Sequence, residues 1–245
     1  MTSSSVENIE SRDYYKKIID LAEKKPNEEI CGFVYLDRLL NPCVTEEVNQ
    51  SDDRVNSFYI SPSRFLEVEN IIGVYHSHVK DSAKPSSLDL LNSEESGLPF
   101  LIYSNTDKDF WLNYPESYEP TKLTGRPFVR GFYQCFTLIK DYFEIELGDK
   151  DDYCNYNYWP DFVGAKANKY LLGILNKKYT RIKDGSIKKH DVLIFETKDP
   201  TVHAAMYKGQ NEFYHHPSWT LSSLDDFTER WQKRVKYVFR HNSLV

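Results

Sequence analysis

The sequence predicts an α/β (α+β) protein made of two domains that a short polar linker joins. In the first half of the chain, segments with helical spacing alternate with runs of β-branched and aromatic residues. In the second half, one apolar helical segment precedes several short strands that are separated by turn residues. The length of 245 residues allows each half its own core.

The first half contains three predicted helices and five predicted strands. Helices are indicated by apolar residues spaced three and four apart, and strands by short apolar runs bounded by turn residues. Because the two kinds of element alternate, they predict a layered α/β domain. In chain order they are helix Ser11–Lys25, strand Glu29–Leu36, strand Ser57–Ile60, helix Pro62–Asn70, strand Ile71–His76, helix Ser87–Ser96, strand Phe100–Ser104 and strand Asp109–Tyr114.

A proline-containing polar stretch follows and predicts the linker. It begins near Pro115 and ends near Gly125-Arg126-Pro127. We therefore expect a first domain over residues 1–114, a linker over 115–127 and a second domain over 128–245. In the second domain, apolar residues at helical spacing predict a helix that begins at or near Cys135. Strands follow at His190–Phe195, Val202–Tyr207 and Glu212–His216, and the turn at residues 208–211 makes the last two a hairpin.

Composition excludes several classes of function. The net charge of −6 and the lack of a dense basic cluster argue against nucleic-acid binding. No apolar run is long enough to cross a bilayer, and residues 1–7 lack the features of a secretory signal, so we expect synthesis and folding in a cytoplasm. Cys31, Cys43 and Cys154 show no C-x-x-C or disulfide pattern, and neither His190 nor His241 shows a functional pattern.

The segment from His76 to Asp89 predicts a metal site. His76 and His78 are two apart on a predicted strand and therefore point to the same face. Asp89, at the start of the next predicted helix, can complete a site of two histidines and one carboxylate. Such a site leaves one position for water, as in catalytic zinc centres. Ser86 and Asp89 also match a capping box, which is compatible with metal binding by Asp89.

With Glu29-x-Cys31-Gly32 upstream, this segment resembles the JAMM/MPN metalloprotease family over roughly residues 10–112. The resemblance implies an α/β/α sandwich-like domain whose His76, His78 and Asp89 bind Zn²⁺. It also implies that Glu29 is the general base and that Ser86 stabilises the tetrahedral oxyanion. Val79 stands where the family usually has proline, a position that shapes the loop and is not a ligand.

The second half contains a cysteine followed by two histidines on a hairpin. Cys135 at a helix N-terminus, then His203 and His215 on neighbouring strands, resemble the NlpC/P60 cysteine peptidases over roughly residues 124–220. The resemblance implies a papain-like α+β domain with an antiparallel sheet. Cys135 would be the nucleophile, His203 the general base and His215, or alternatively His216, the group that orients the base. Gln134, Phe136 and Thr137 depart from the Asp-Cys-Ser-Gly sequence usual at the nucleophile.

A JAMM domain followed by an NlpC/P60 domain is the layout of the tail-tip assembly proteins of lambda-like siphophages. This resemblance implies a virion protein at the phage tail tip, with other tail tip proteins as partners and host peptidoglycan as substrate. It further implies stem-peptide endopeptidase activity in the second domain and a zinc peptidase or isopeptidase in the first. Two alternatives stay open: a cytoplasmic JAMM isopeptidase with a binding-only second domain, and a structural tail component whose two sites are vestigial.

Overall fold

The computed structural model describes residues 14–120, 122–149, 156–158, 175, 177–196, 203–218 and 220–245, with residues 156–158 described by their backbone alone. The described helices are α1 (Tyr14–Lys24), α2 (Pro62–Glu67), α3 (Ser87–Ser96), α4 (Cys135–Leu147) and α5 (Glu229–Gln232). The described strands are β1 (Cys31–Leu36), β2 (Pro42–Val44), β3 (Ile71–His78), β4 (Phe100–Ser104), β5 (Phe110–Asn113), β6 (Tyr156–Tyr158), β7 (Tyr179–Ile182), β8 (Val192–Phe195), β9 (His203–Gly209), β10 (Glu212–His215), β11 (Ser223–Asp226) and β12 (Val235–His241). None of these helices is long and apolar enough to cross a membrane.

The chain forms two compact units. The first unit comprises Met1–Glu119 and Cys154–Pro160, and the second comprises Pro120–Tyr153 and Asp161–Val245. The division at residue 119 falls inside the linker predicted from the sequence. Strand β6, which the sequence interpretation placed in the second domain, pairs with β5 in the sheet of the first unit.

The first unit is a mixed α/β domain around a six-stranded sheet with the order β2-β1-β3-β4-β5-β6. Strands β3 and β4 are parallel, and α3 is the crossover helix that a parallel pair requires. The other described pairings are antiparallel. Helix α1 packs Tyr15 edge-on against Phe110 on one face of the sheet. The opposite face is a core of Cys31, Phe33, Ile60, Val74, Phe100 and Ile102, with Phe65 of α2 packed against it.

The second unit contains an antiparallel six-stranded sheet with the order β11-β10-β9-β8-β12-β7. Side chains of α4 cover one face, where the core includes Leu138, Ile139, Tyr142, Phe143, Val192, Ile194, Ala204, Met206 and Phe239. A second cluster, on the other face, contains Leu193, Phe195, Ala205, Phe213, Phe227 and Val238. The strands therefore alternate between the two cores, because successive side chains of a strand point to opposite faces.

Most predicted elements are present, several of them with bounds shifted by one or more residues, and some strands differ. Residues 57–60 were predicted as a strand, and this was wrong: they are extended without a neighbouring strand. The side chain of Asn49 bonds their backbone instead, donating to the Ser57 carbonyl and accepting from Tyr59 N–H. Helix α2 ends at Glu67 rather than residue 70, and Asn70 has a positive φ of 55° that ends the turn.

Other strands were not predicted from the sequence: β2, β6, β7, β11 and β12. β2 and β6 are only three residues long, and β11 is largely polar. β7 and β12 have the apolar residues of strands, and the sequence interpretation missed them. Three features discussed from the sequence, Cys154, the start of the first helix at residues 11–13, and Val202, lie outside the described residues.

Candidate metal centre and a second histidine cluster

Strand β3 places two histidines on one face of the first sheet. His76 and His78 share the face of Val74, which packs in the same core as Cys31 and Phe100. His76 is fully buried, and its ring stacks on Phe58 with the centroids 4.4 Å apart. This packing holds the His76 imidazole in one orientation.

The carboxylate of Asp89 reaches the same place from the first turn of α3. Ser86 is the N-cap of this helix, and the predicted capping box is present. Ser86 Oγ accepts from Asp89 N–H (3.2 Å), while Asp89 Oδ2 accepts from both the backbone N–H (2.7 Å) and the hydroxyl (2.6 Å) of Ser86. The cap thus fixes Oδ2 and leaves Oδ1 of the same carboxylate facing His76, at 3.1 Å from its Nε2.

The three ligand atoms have the spacing of a tetrahedral zinc site. Nε2 of His76 lies 3.2 Å from Nε2 of His78 and 3.1 Å from Asp89 Oδ1, the carboxylate oxygen that the cap leaves free. Ligands at about 2.0–2.1 Å from a zinc ion are about 3.3–3.4 Å apart in a tetrahedron. His76, His78 and Asp89, all buried, are the described group of side chains that could hold a metal ion.

The hydrogen bond at the far side of the His78 ring supports this assignment. His78 Nδ1–H donates to the backbone carbonyl of Ser82 at 2.6 Å, since a carbonyl can only accept. Neutral His78 therefore has its lone pair on Nε2, which points at His76 and at an anionic carboxylate. A cation placed among these acceptors satisfies all three, and the backbone bond to Nδ1 is the usual outer contact of a metal-binding histidine.

The ionisable groups of this site have shifted pKa values. Burial lowers the pKa of His76, so the ring stays neutral, as a ligand must be. Burial also lowers the pKa of His78, but hydrogen bonds to Asp89 and Ser82 outweigh it and leave the pKa raised. For Asp89, burial favours the neutral form, yet both histidines and Ser86 hold its pKa well below the usual range. The carboxyl of Asp89 is thus ionised at neutral pH.

Glu29 lies at the edge of the same site. Strands β1 and β3 pair antiparallel with Cys31 opposite His76, so two residues earlier Glu29 stands opposite His78. The side chain is 4% exposed, and burial, together with the charges of Asp89, Asp81 and Asp53, raises its pKa to about 8, against the opposing effect of His78. Without a metal ion Glu29 is therefore protonated at neutral pH, and a cation bound at the neighbouring ligands would favour the carboxylate form that a general base needs.

Glycine at position 32 permits the close packing of β1 beside this site. A Cβ at Gly32 would meet the Thr45 carbonyl oxygen at 2.3 Å and the Tyr75 ring at 2.6 Å. The Tyr75 hydroxyl also donates to that carbonyl at 2.6 Å. Both residues of the Cys31-Gly32 pair thus have a structural role. The Cys31 thiol is buried in the core, and glycine at position 32 leaves room for the Tyr75 ring.

In the second unit, Cys135 is the first residue of α4. Its thiol is half-buried, and the backbone N–H groups of Ala204, Cys135 and Phe136 lie near the sulfur and lower its pKa. Burial acts in the opposite direction and is the larger effect, so the pKa of the Cys135 thiol is raised. The Ala204 contact brings the sulfur beside β9, next to His203 in sequence. The thiol is protonated at neutral pH and needs a base to become nucleophilic.

His203 and His215 are hydrogen bonded to each other. Nε2 of His203 lies 3.0 Å from Nδ1 of His215, and Nε2 of His215 lies 3.0 Å from Oδ2 of Asp225. Burial, and then the charges of His215, Arg234 and His216, lower the pKa of His203 to about 3. His215, which is 2% exposed, also has a lowered pKa because of burial. The pair is therefore neutral at rest.

The predicted residues come together in two sets, the metal-ligand group of the first unit and the His203–His215 pair of the second. Cys135 and His203, in contrast, are not joined. Between the described side chains of Cys135 and His203 there is no hydrogen bond, and the ring contacts of His203 are with Phe195, His215 and Trp231. His216 does not join the chain of histidines; its buried ring meets the edge of Phe128. Of the two residues that could orient His203, His215 is the one bonded to it.

Asp225 was missed by the sequence interpretation. It lies on β11, in a segment that was not predicted as a strand, and no motif contains it. The available signal was weak: two adjacent aspartates, Asp225 and Asp226, lie between Leu224 and Phe227, and no pattern there distinguishes one from the other. Only the pairing of β11 with β10 shows which aspartate shares a face with His215.

Comparisons with known proteins match a family model to the first part of the chain and find relatives over most of its length. The family model for prokaryotic homologues of the JAB domain matches residues 11–114. Tail tip assembly protein K of Escherichia phage N15 is 26% identical over 202 residues, covering 80% of this chain and 81% of that protein. Tail tip assembly protein K of Escherichia phage lambda is 26% identical over 189 residues, covering 75% of this chain and 90% of that protein.

Among solved structures, the solution structure of a protein from Desulfitobacterium hafniense matches with a TM-score of 0.33 and 20% identity. The match covers 40% of this chain and 79% of that one.

Proposed function

Because the chain is a homologue of tail tip assembly protein K of phages lambda and N15 and has a JAB domain, we propose that it is a phage tail tip protein with two hydrolytic sites. Its partners are then other tail tip proteins, and its place is the virion, where it meets the host cell wall. The observation that carries the enzymatic part is the convergence of His76, His78 and Asp89 at zinc-ligand spacing.

In the first unit the proposed activity is that of a zinc peptidase or isopeptidase. His76 Nε2, His78 Nε2 and Asp89 Oδ1 would hold the ion, and zinc in such a site lowers the pKa of water towards neutrality. Ser82 orients His78 and Ser86 orients Asp89 through the hydrogen bonds described above. Glu29 would take up the proton that the attacking water loses. Ser86, whose described hydroxyl bonds both go to Asp89, is also proposed to stabilise the oxyanion.

Elemental analysis tests the metal assignment. We expect the purified wild type to contain close to one zinc per chain and His76→Ala to contain almost none. His241→Ala, in the second unit, is the matched control and should keep the wild-type content. Undiminished zinc in His76→Ala would refute the ligand set.

In the second unit the proposed activity is a peptidoglycan stem-peptide endopeptidase of the NlpC/P60 type. Support comes from the position of Cys135 at the start of α4, from the amide groups around its sulfur and from the His203–His215 pair. His203 would remove the thiol proton, the sulfur would attack the peptide carbonyl, and water would hydrolyse the acyl-enzyme. The bond favoured by the resemblance is that between γ-linked D-glutamate and diaminopimelate. In the resting structure no hydrogen bond joins the described thiol and imidazole, because Cys135 packs with Ala204 on the face that α4 covers and His203 stacks with Phe195 on the other face. The proposed proton transfer therefore requires the two groups to meet at the start of β9, where the Ala204 N–H contacts the Cys135 sulfur.

Digestion of muropeptides tests the second activity. Wild type should release peptide fragments that Cys135→Ala does not, and equal product from both proteins would exclude the thiol mechanism. A zymogram on purified sacculi, run separately with a chelator and with a thiol blocker, assigns the activity to one site. Loss with the thiol blocker alone places it in the second unit, and loss with the chelator alone places it in the first.

A further inference from the structure

Asp225 is the last member of a hydrogen-bonded row that begins at His203. Strand β11 pairs antiparallel with β10, with Phe213 opposite Asp225 and His215 opposite Ser223. Asp225 therefore shares the sheet face of Phe213 and His215, and its Oδ2 is 3.0 Å from His215 Nε2. The row of contacts is Asp225 to His215 to His203, each step 3.0 Å long.

The donors and acceptors of this row can be arranged in one way when Asp225 is a carboxylate. A carboxylate only accepts, so His215 must carry its proton on Nε2. Neutral His215 then has its lone pair on Nδ1, which accepts from the Nε2–H of His203. Neutral His203 in turn has its lone pair on Nδ1, and none of the described residues bonds to that nitrogen. The Asp225 carboxylate thus determines, through His215, which ring nitrogen of His203 is basic.

Aromatic rings hold both imidazoles in place. Trp231 meets His215 edge-on at 5.1 Å, and Phe195 stacks with His203 at 5.8 Å. Phe213 lies 4.6 Å from the His215 ring on the same face. Because these contacts restrict rotation of the rings, the tautomers depend on the hydrogen bonds within the row. The charged or titratable groups that act on His203 beyond the row are Arg234 and His216.

We propose that Asp225 is a positioning residue of the second site: through His215 it fixes His203 as the Nε2–H tautomer, so that Nδ1 is the basic nitrogen of His203 and takes the proton of Cys135 when the thiol reaches it at the start of β9. This inference rests on the proposed cysteine peptidase function. In the step itself the S–H bond of Cys135 breaks, its electron pair stays on sulfur, and the proton forms an N–H bond at His203 Nδ1. The imidazolium formed keeps its Nε2–H on His215, which remains neutral and bonded to the Asp225 carboxylate. No second proton moves.

Histidine ¹⁵N NMR tests the tautomers directly and requires no substrate. We expect Nε2–H tautomers for both His203 and His215 in the full-length wild type, with assignments from single-histidine variants. In Asp225→Ala nothing accepts from His215 Nε2–H, and in Asp225→Asn the amide can either donate to this nitrogen or accept from it. In both variants the carboxylate no longer fixes the tautomer, so His215 and His203 should each populate the other tautomer measurably. Asp226→Asn, an exposed neighbour on the same strand, is the matched control and should leave both unchanged.

Kinetics on muropeptides gives the second readout. We expect Asp225→Asn and Asp225→Ala to lower kcat by about ten-fold or more with little change in KM, because the wrong tautomer removes general-base catalysis. Asp225→Glu restores the carboxylate and should recover part of the rate, since the side chain of Asp225 is 41% exposed and leaves space. A folded Asp225→Asn protein with wild-type tautomers, or with wild-type kcat, would overturn the inference.

The NMR and kinetic measurements distinguish the role of Asp225 from the proposed peptidase activity. If wild type and Cys135→Ala digest muropeptides equally, the proposed peptidase fails, while the tautomers still decide whether Asp225 controls His203. If wild type is active and the tautomers of Asp225→Asn do not change, only the role of Asp225 is wrong.

Discussion

The orientation and tautomer of a functional side chain are determined here by the hydrogen bonds on the side that faces away from the reacting atoms. His78 donates to the Ser82 carbonyl, Asp89 accepts twice from Ser86, and His215 donates to Asp225. In each case the outer partner is a backbone group, a cap or a residue on a neighbouring strand. These contacts fix tautomers and rotamers, and their loss weakens a site that keeps all its ligands.

Ser86 gives the sharpest test of this at the metal centre. Ser86→Ala removes the hydroxyl that donates to Asp89 Oδ2 and that caps α3. We expect zinc affinity to fall by about 10- to 100-fold, and stability of the first unit to fall by about 1 kcal/mol because the cap is lost. Chelator competition measures the first effect and denaturant unfolding of the zinc-free protein the second.

Ser87→Ala is the matched control, since Ser87 is the exposed neighbour of Ser86 and is not the cap residue. Equal zinc affinities for the two variants would show that the Ser86 hydroxyl does not orient the ligand.

Among the elements, β8 and β12 are joined by a buried ion pair as well as by their backbone. Arg240 of β12 donates from Nε at 2.8 Å and from Nη2 at 2.7 Å to the two oxygens of Asp191, which precedes β8. The carboxylate is fully buried and also accepts from Lys188 N–H. Both strands are interior strands of the sheet that carries His203, so this ion pair stabilises the part of the sheet beside the proposed general base.

Breaking the pair from one side should be costly. Arg240→Met leaves the Asp191 carboxylate buried without its cation, and we expect a loss of about 3–5 kcal/mol in the unfolding free energy of the second unit. Urea denaturation followed by tryptophan fluorescence measures this. Lys233→Ala, which breaks the exposed Lys233–Glu229 pair, should change stability by about 0.5 kcal/mol or less. A similar effect of both substitutions would contradict the buried role of Asp191.

At the scale of the whole molecule, the two units depend on different conditions. The first unit has buried polar groups at a candidate cation site, and the second has buried neutral histidines beside its sheet. Zinc and pH should therefore act on them separately.

Zinc should stabilise the first unit alone. A ligand that binds only the folded state adds about 2.7 kcal/mol when its free concentration is 100 times Kd. We expect calorimetry to show that added zinc raises one unfolding transition, and that a chelator lowers the same one. His76→Ala should remove this response. A shift of both transitions in the wild type would show that the metal also acts on the second unit.

Acid should destabilise the second unit through His216. Burial lowers the pKa of this ring, which is 1% exposed, from 6.5 to about 4. Between these values the unfolded chain binds a proton that the folded chain does not, so stability falls as the pH falls from 6.5 to 4. The full effect of His216 is about 3 kcal/mol. Unfolding measured across this range should lose part of its pH dependence in His216→Phe, and an unchanged slope would contradict the prediction.

The sequence by itself determined the residues of the candidate metal centre and most of the first unit. His76, His78 and Asp89 belong to a local strand–loop–helix segment, so the alternation of a strand and the geometry of a cap suffice to bring them together. Helix α3 and strand β4 were predicted at their observed bounds, because one has clear caps and the other is a continuous buried run. Cys135 at the start of α4 followed from helical spacing for the same reason.

Only the tertiary structure decided which strands form and which side chains meet, where the partners are distant in sequence. The strand predicted at residues 57–60 does not form, because Asn49 satisfies its backbone in place of another strand. Whether His215 or His216 faces His203, and that Asp225 faces His215, depends on the register of β9, β10 and β11. A shift of one residue in that register would turn each side chain to the other face. Local patterns fix which residues can act, and the pairing of strands fixes which of them meet.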